Sequence, residues 1–240
     1  TGVQTCALPI SPHRSIALDT VALAEAQTAK YERVLGQLGD AKNILEIGCG
    51  WGGFAQVATA AGRHVAGLTL STEQLLFANE RLAGLGRSAQ ADLKLQDYRD
   101  EAQQYDAVAS IEMFEAVGEV YWPSYFECVA RSLKPGGKAC IQSIVIRDEL
   151  FERYRTGTDF IQRYIFPGGM LPSPAVFEAA AAKAGLVVTD RFSFGKDYAR
   201  TLAVWRRNFL TALPQVRALG YSERFIKMWE FYLAYCEAGF

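Results

Sequence analysis

Four glycines within six residues, at 48, 50, 52 and 53, follow an apolar run at 43–47, and no other stretch points so directly to chemistry. Glycine lets backbone approach a ligand with no Cβ in the way. With a strand over 43–47 and a helix starting near Phe54, the helix dipole and its free N–H groups face that turn. A nucleotide-like cofactor fits such a place, at the carboxyl end of the first strand of an α/β sheet. Gly48, Gly50 and Gly53 satisfy the Gly-x-Gly-x-x-Gly spacing of dinucleotide sites, which calls for an acidic residue about 20 positions on. The next strand instead ends in Leu68-Thr69-Leu70-Ser71, with no carboxylate for a ribose. The bland alternative is a turn without a ligand, but so many glycines carry a conformational-entropy cost that a simple turn does not require.

The elements that must position this turn follow from periodicity. Residues 20–38 are helical by period, with Leu23, Ala26, Tyr31, Val34, Leu35 and Leu38 as an apolar stripe. Strands are predicted at 43–47, 64–68, 92–95, 105–111, 138–146 and 186–189. Helices alternate with them at 54–61, from Ser71 to about 83, at 121–133 and at 175–184. Ser71 with Gln74 at N3 reads as a capping box, and Lys134-Pro-Gly-Gly137 closes the helix before it. Strands alternating with helices imply a parallel sheet. Residues 147–172, rich in aromatics and punctuated by Gly and Pro, read as an insertion after the fifth strand, where substrate pockets are built. Helices at 199–211 and 222–237 end the chain.

Bulk properties narrow the function. The chain has 240 residues, half of them apolar, and a formal net charge of −1. That is room for one domain with a good core, or one domain plus an elaboration, and near-neutral charge argues against nucleic acid as the main partner. No apolar run reaches the roughly 18 residues of a membrane span, and no signal-peptide pattern opens the chain. Cys6, Cys49, Cys128, Cys140 and Cys236 are scattered, without a Cys-x-x-Cys, which suits free thiols in a reducing cytoplasm. His13 and His64 are the only histidines, so no metal site is expected. Residues 1–10 resemble the translated product of a common sequencing adapter and are set apart as a scar. Residues 11–240 are then expected to be a single domain, cut at both ends.

The Glu46-Ile-Gly-Cys-Gly-Trp-Gly52 stretch resembles motif I of S-adenosylmethionine (AdoMet) methyltransferases. Further stretches resemble, in common order, the cyclopropane-fatty-acyl-phospholipid synthase family, which includes the mycolic acid cyclopropane synthases. They are Gly67-Leu-Thr-Leu-Ser71 with Gln74, Glu112-Met-Phe-Glu-Ala-Val-Gly118, Tyr164-Ile-Phe-Pro-Gly-Gly169, Asp197-Tyr-Ala-Arg-Thr-Leu-Ala-Val-Trp205 and Tyr235-Cys-Glu-Ala-Gly-Phe240. The resemblance implies a Rossmann-like class I methyltransferase: a central, mostly parallel seven-stranded sheet flanked by helices, with a helical insertion after strand five. It implies methylene transfer from AdoMet to a cis double bond of a lipid acyl chain. An alkene is a weak nucleophile, so it must be held against the sulfonium methyl in a dry pocket. A base must then take a proton from the transferred group so that the ring closes; in this family that base is a bound bicarbonate.

Carried over residue by residue, the resemblance implies a bicarbonate cradle of Glu115, Gln142, the Ile144 backbone and Tyr198, with Cys236 lining the acyl pocket. For AdoMet it implies Glu46, Gly48, Cys49, Gly50 and Gly52 at the methionine end, Thr69, Leu70 and Gln74 at the ribose, and Asp97 and Tyr98 at the adenine. Gln142 and Ile144, two apart on the fifth strand, would share a face. Two departures stand out. The family's best-studied members have His where this chain has Gln142, and a Gln cannot carry a proton. A Tyr-Ser-Cys-like segment that supplies a further contact is missing upstream, which leaves the fragment's own activity in question.

Each assignment has a structural rival: Glu115 as a cap for the helix near 119, Tyr198 as a core tyrosine, Cys236 as a small buried hydrophobe, the aromatics at 151–166 as core, Trp51 as packing, and Arg206-Arg207 as a solvated face. The rival functions are AdoMet-dependent C-methylation giving methyl- or methylene-branched fatty acids, methylation of a small molecule, and a non-catalytic AdoMet- or lipid-binding module. The expected partners are unsaturated phospholipid acyl chains, met by peripheral contact with the inner face of the membrane. A homodimer stays open.

Overall fold

The computed structural model describes residues 2–6 and 20–240, with side chains from residue 23 onward. The Cys6 side chain, His13 and residues 7–10 of the suspected scar lie outside the described residues. Chain contacts divide the described residues into two compact units, residues 2–6 with 28–192 and residues 20–27 with 193–240.

The first unit is built on a seven-stranded sheet in the order β4-β3-β2-β5-β6-β1-β7. Its strands are β1 (Gly2–Cys6), β2 (Asn43–Ile47), β3 (His64–Thr69), β4 (Ala91–Leu95), β5 (Tyr105–Ile111), β6 (Leu133–Gln142) and β7 (Val187–Phe192). All the strand pairs are parallel. Helices α1 (Thr20–Gln37), α2 (Gly53–Ala60), α3 (Thr72–Gly84), α4 (Trp122–Arg131), α5 (Asp148–Arg155), α6 (Phe160–Tyr164) and α7 (Pro174–Lys183) alternate with the strands. A parallel sheet needs cover on both faces, which makes its strands continuously apolar. Alternation within the strands divides that cover. Ile44, Ala107 and Ala109 join Val34, Leu35, Leu38 and Phe54 in one cluster. Leu45, Ile47 and Val108 join Phe114, Tyr125, Phe126 and Phe177 in the other.

Strand β2 lies between β3 and β5. The chain leaves it in one direction for β3 and later returns to its other side as β5. Such a reversal opens a crevice at the carboxyl ends of the two strands. The glycine turn after β2 and the segment after β5 both end there.

Three departures from the sequence reading have local causes. The fifth strand of the α/β core, β6, starts at Leu133 and ends at Gln142, not 138–146. Leu133 already pairs with Tyr105, across an irregularity that takes up the Pro-Gly-Gly turn. At the other end the ladder stops because β5 stops: the last bond is from Glu112 N to Gln142 O, 2.9 Å, and Glu112 then turns out of the sheet. Ser143 and Ile144 lie beyond the strand. The capping box at α3 is half formed. The Ser71 hydroxyl accepts from Gln74 N, but Gln74 Oε1 accepts from the Thr69 hydroxyl at 3.1 Å rather than from the Ser71 backbone. Residues 2–6, left out of the sequence reading, pair with both β6 and β7.

The insertion is helical, as expected, and holds α5 and α6. Phe151 is buried in the core while Tyr164 and Phe166 are exposed, so its aromatics serve no single purpose. In the second unit, α8 (Gly195–Thr211), α9 (Leu213–Ala218) and α10 (Glu223–Gly239) follow one another, and α8 packs on α10. Leu202, Val204, Ile226 and Leu233 are buried there.

Candidate active site

The turn after β2 needs its glycines for different reasons. Gly48, Gly50 and Gly52 have φ of +81°, +51° and +75°, a region that favours glycine. A Cβ on Gly48 would meet Met113 Cγ at 2.8 Å, so this glycine lets the segment after β5 close over the turn. A Cβ on Gly50 would meet nothing within 4 Å among the described residues, so the turn is open on that side. The N–H groups of Gly48 and Cys49 both bond Leu68 O, at 3.0 and 2.8 Å. They close the turn onto β3.

Glu46 is the charge behind this turn. It is only 3% exposed, and its Oε2 has no hydrogen-bond partner among the described residues. Burial holds its carboxyl well above the usual range, and a bond from the Ala55 backbone offsets this in part. Burial, helped by Glu46, also pushes the Cys49 thiol up to about 12, which makes it a packing group rather than a nucleophile. On the ribose side, Thr69 and Gln74 are bonded to each other, while Leu70 is 72% exposed. Asp97 is gripped by Arg99 through both carboxylate oxygens, at 3.0 and 2.6 Å, which lowers its pKa. The Tyr98 ring is buried, edge-on to Tyr125 at 5.8 Å, so its contacts are with the core. Trp51 is exposed and meets Phe77 at 5.3 Å.

A second cluster forms where β5 and β6 end. Phe114 is fully buried, stacked on Trp122 at 5.3 Å and within 5.1 Å of Phe177. This anchor fixes the next residue, Glu115. The Pro-Gly-Gly loop of the insertion backs it from outside, with Met170 N donating to Glu115 O at 2.9 Å. Glu115 Oε1 accepts a hydrogen bond from Ile144 N. Its Oε2 is buried with no partner among the described residues. Burial raises the carboxyl to about 7, despite the Ile144 bond that pulls the other way. No side chain caps α4, so the helix-cap rival for Glu115 has no support in the structure.

Gln142, buried at the end of β6, donates from Nε2 to Glu112 Oε1 at 2.5 Å, while its own Oε1 is buried and unpartnered among the described residues. Glu112, which the sequence reading passed over, is the one described non-glycine residue with positive φ, +53°. Lys30 Nζ lies 3.4 Å from its carboxylate. Nothing in its residue type signals that backbone conformation. The structure thus joins Glu115, Ile144, Gln142 and Glu112 in one cluster. Tyr198 and Cys236 belong to the second unit, on α8 and α10, and the Tyr198 ring stacks on Phe240 at 4.4 Å. Among the described residues no His, Cys, Asp and Glu side chains converge as a metal site, and no helix is long and apolar enough to cross a membrane.

A family profile described as mycolic acid cyclopropane synthetase matches residues 5–240. A tuberculostearic acid methyltransferase of Mycobacterium tuberculosis is 42% identical over 221 residues, 91% of this chain and 52% of that protein. A cyclopropane-fatty-acyl-phospholipid synthase of Escherichia coli is 39% identical over 222 residues, 91% of this chain and 55% of that protein. The chain therefore spans about half the length of these curated relatives. Among solved structures, a cyclopropane synthase of Mycobacterium tuberculosis superposes with a TM-score of 0.83 at 28% identity, covering 94% of this chain and 82% of that one. A mycolic acid cyclopropane synthase complexed with SAH and CTAB gives 0.79 at 29% identity, covering 90% and 80%. With its class I methyltransferase sheet and these matches, the chain belongs to the mycolic acid cyclopropane synthetase family.

Proposed function

We propose that this chain is the catalytic part of an AdoMet-dependent enzyme that transfers a methylene group to the cis double bond of an unsaturated phospholipid acyl chain, with bicarbonate as base. The single observation that carries the proposal is Glu115: a buried carboxyl poised near neutrality, tied by one oxygen to Ile144 N and with no hydrogen-bond partner for the other among the described residues. Perturbed, buried carboxyls of this kind concentrate at functional sites. Both implied small molecules fit the residues present. The unpartnered Glu46 Oε2 and the open side of Gly50 suit the cationic methionine end of AdoMet. The unpartnered Glu115 Oε2 suits a small oxyanion that brings an O–H, or that receives one from the protonated carboxyl.

When bound, AdoMet supplies an electrophilic methyl group and bicarbonate a proton acceptor. The protein supplies orientation and dryness. Phe114 and its aromatic neighbours hold the Glu115 backbone still, Glu115 Oε1 fixes the Ile144 amide, and Glu115 Oε2 takes or gives a proton close to pH 7. Membrane contact would be peripheral, at the cytoplasmic face.

A second reading is methyl transfer without ring closure, in which the resulting cation loses a proton to leave a methylene branch or takes hydride from a partner reductant to leave a methyl branch. It is favoured by the 42% identity to a protein named as a tuberculostearic acid methyltransferase and by Gln142, which cannot relay a proton. The test is to supply the chain with AdoMet and vesicles of a cis-monounsaturated phospholipid and to examine the acyl chains by proton NMR. Cyclopropane ring protons support the lead reading, and a methylene branch, or a methyl branch once a hydride donor such as a reduced nicotinamide is added, supports the second. Failure to bind either AdoMet or its demethylated product by calorimetry would remove both.

A further inference from the structure

Glu112 closes β5 in a left-handed conformation, φ +53°, that glycine adopts freely and other residues adopt at a cost. Backbone strain of this sort persists where the surroundings hold it, and it gathers at functional sites. Here the surroundings are explicit. The strained backbone still donates to Gln142 O at 2.9 Å, and the side chain of the same residue accepts from Gln142 Nε2 at 2.5 Å. Glu112 therefore grips Gln142 at both its backbone and its amide. Lys30, 3.4 Å from the same carboxylate oxygen, supplies the opposite charge.

A carboxylate accepts and does not donate, so the Gln142 group facing Glu112 has to be the NH2. The other end of the amide, Oε1, then points away from Glu112, is buried, and has no partner among the described residues. Unpartnered buried acceptors are rare because each gives up hydration without replacement. Two of them are Gln142 Oε1, on the last residue of β6, and Glu115 Oε2, just beyond the end of β5, and Ile144, two residues after Gln142, bonds Glu115 through its backbone N–H.

The geometry points to Glu112 as a positioning residue that locks the Gln142 amide so that its carbonyl oxygen, not its NH2, is presented to the ligand bound beside Glu115. The inference rests on the reading of Glu115 and Gln142 as a ligand cradle. It gives that cradle a preference: a wall of acceptors takes an oxyanion carrying an O–H, such as bicarbonate, ahead of one with none, such as acetate. Releasing the amide would let Gln142 turn its NH2 inward and blur the distinction.

The test compares the chain with Glu112→Gly, which suits a positive φ, and with Glu112→Asn as a second variant that tolerates it. In nitrogen-labelled protein without added ligand, the Gln142 side-chain NH2, assigned by its loss in Gln142→Leu, is expected to show one proton shifted downfield and slow to exchange. Both features should vanish in either Glu112 variant while the remaining backbone signals stay in place. An unchanged NH2 overturns the lock. Carbon-labelled bicarbonate and acetate are then titrated in turn. The wild-type preference for bicarbonate should shrink roughly three- to tenfold in the variants, the scale of one hydrogen bond. An equal preference in all three proteins overturns the presentation of Oε1 to ligand. If none of the proteins binds bicarbonate, the bicarbonate reading of the function falls, and the NH2 signals alone decide the lock.

Discussion

Replacing Glu115 by Gln should change how stability depends on pH, and the size of the change can be worked from its environment. Burial raises the carboxyl from 4.5 to about 7 in the folded protein. A raised carboxyl disfavours the folded state once ionisation begins. Its contribution is most favourable below pH 4.5, where both states are protonated, and is lost as pH rises through 7. Each pKa unit is worth about 1.4 kcal/mol, so the full swing is on the order of 3 kcal/mol. About 2.5 kcal/mol of it falls between pH 5 and pH 8, since the unfolded carboxyl is already mostly ionised at the lower end. Urea denaturation of wild type and Glu115→Gln at several pH values across that window reads the effect directly. The amide also leaves a donor where Oε2 now lies, and that adds an offset of either sign. The offset does not vary with pH, and neither does the contribution of Glu46 to the difference, because both proteins contain it. The slope is therefore diagnostic. The variant should gain on wild type by about 2.5 kcal/mol from pH 5 to pH 8. A gap that stays constant over the window would refute the claim that Glu115 is buried with a near-neutral pKa.

Other substitutions probe the supports of the site. Phe114→Ala empties the centre of the aromatic cluster and should cost about 3–5 kcal/mol, seen as a large fall in Tm. Gly48→Ala should both destabilise the fold and abolish AdoMet uptake in calorimetry, because its Cβ would run into Met113 at 2.8 Å on a backbone with φ +81°. Gly50→Ala meets no atom of the described residues within 4 Å, so its fold cost should stay near the roughly 1–2 kcal/mol of a left-handed residue while AdoMet affinity falls. Cys49, with its thiol pushed up to about 12, should resist alkylation at pH 8 in the folded chain and react on unfolding, as mass spectrometry of the labelled peptides would show.

What could be read in advance divides along a physical line. The glycine turn was legible because the requirement is local: a positive φ at 48, 50 and 52 is written in the residue type itself. The strands of the core were legible for a similar reason, since apolar runs such as 43–47 and 105–111 carry their burial in their composition. The end of β6 was not, because a strand ends when its neighbour does, and β5 turns away at a glutamate that gives no warning of a left-handed backbone. Competition between partners hid other features. Gln74 bonded the Thr69 hydroxyl, and the Ser71 N–H that a capping box would give it went to the same hydroxyl oxygen. Asp97, expected to face a ligand, is held by Arg99 two residues away. Tyr98 turned inward because Tyr125 of α4 offered an aromatic edge.

Gln142 joins these threads. From its type alone it is a donor and an acceptor in equal measure, and a donor is what an anion would need. The structure narrows that freedom, because Glu112 takes one N–H of the NH2 and so fixes the orientation of the amide. On the proposed reading the amide presents its acceptor to the ligand, and an acceptor does not stabilise an anion by itself. The proposed cradle would then depend on the protonation of Glu115 for a donor, and the pKa of about 7 puts that proton within reach at neutral pH. A histidine at 142 could gain and lose a proton of its own near neutrality. With glutamine in its place, the proposed function leaves proton handling on this side of the site to Glu115. A proton-relay route to ring closure and a simple methylation would thus differ here in what Glu115 must do. The pH profile of product type, ring against branch, should follow the ionisation of this single carboxyl.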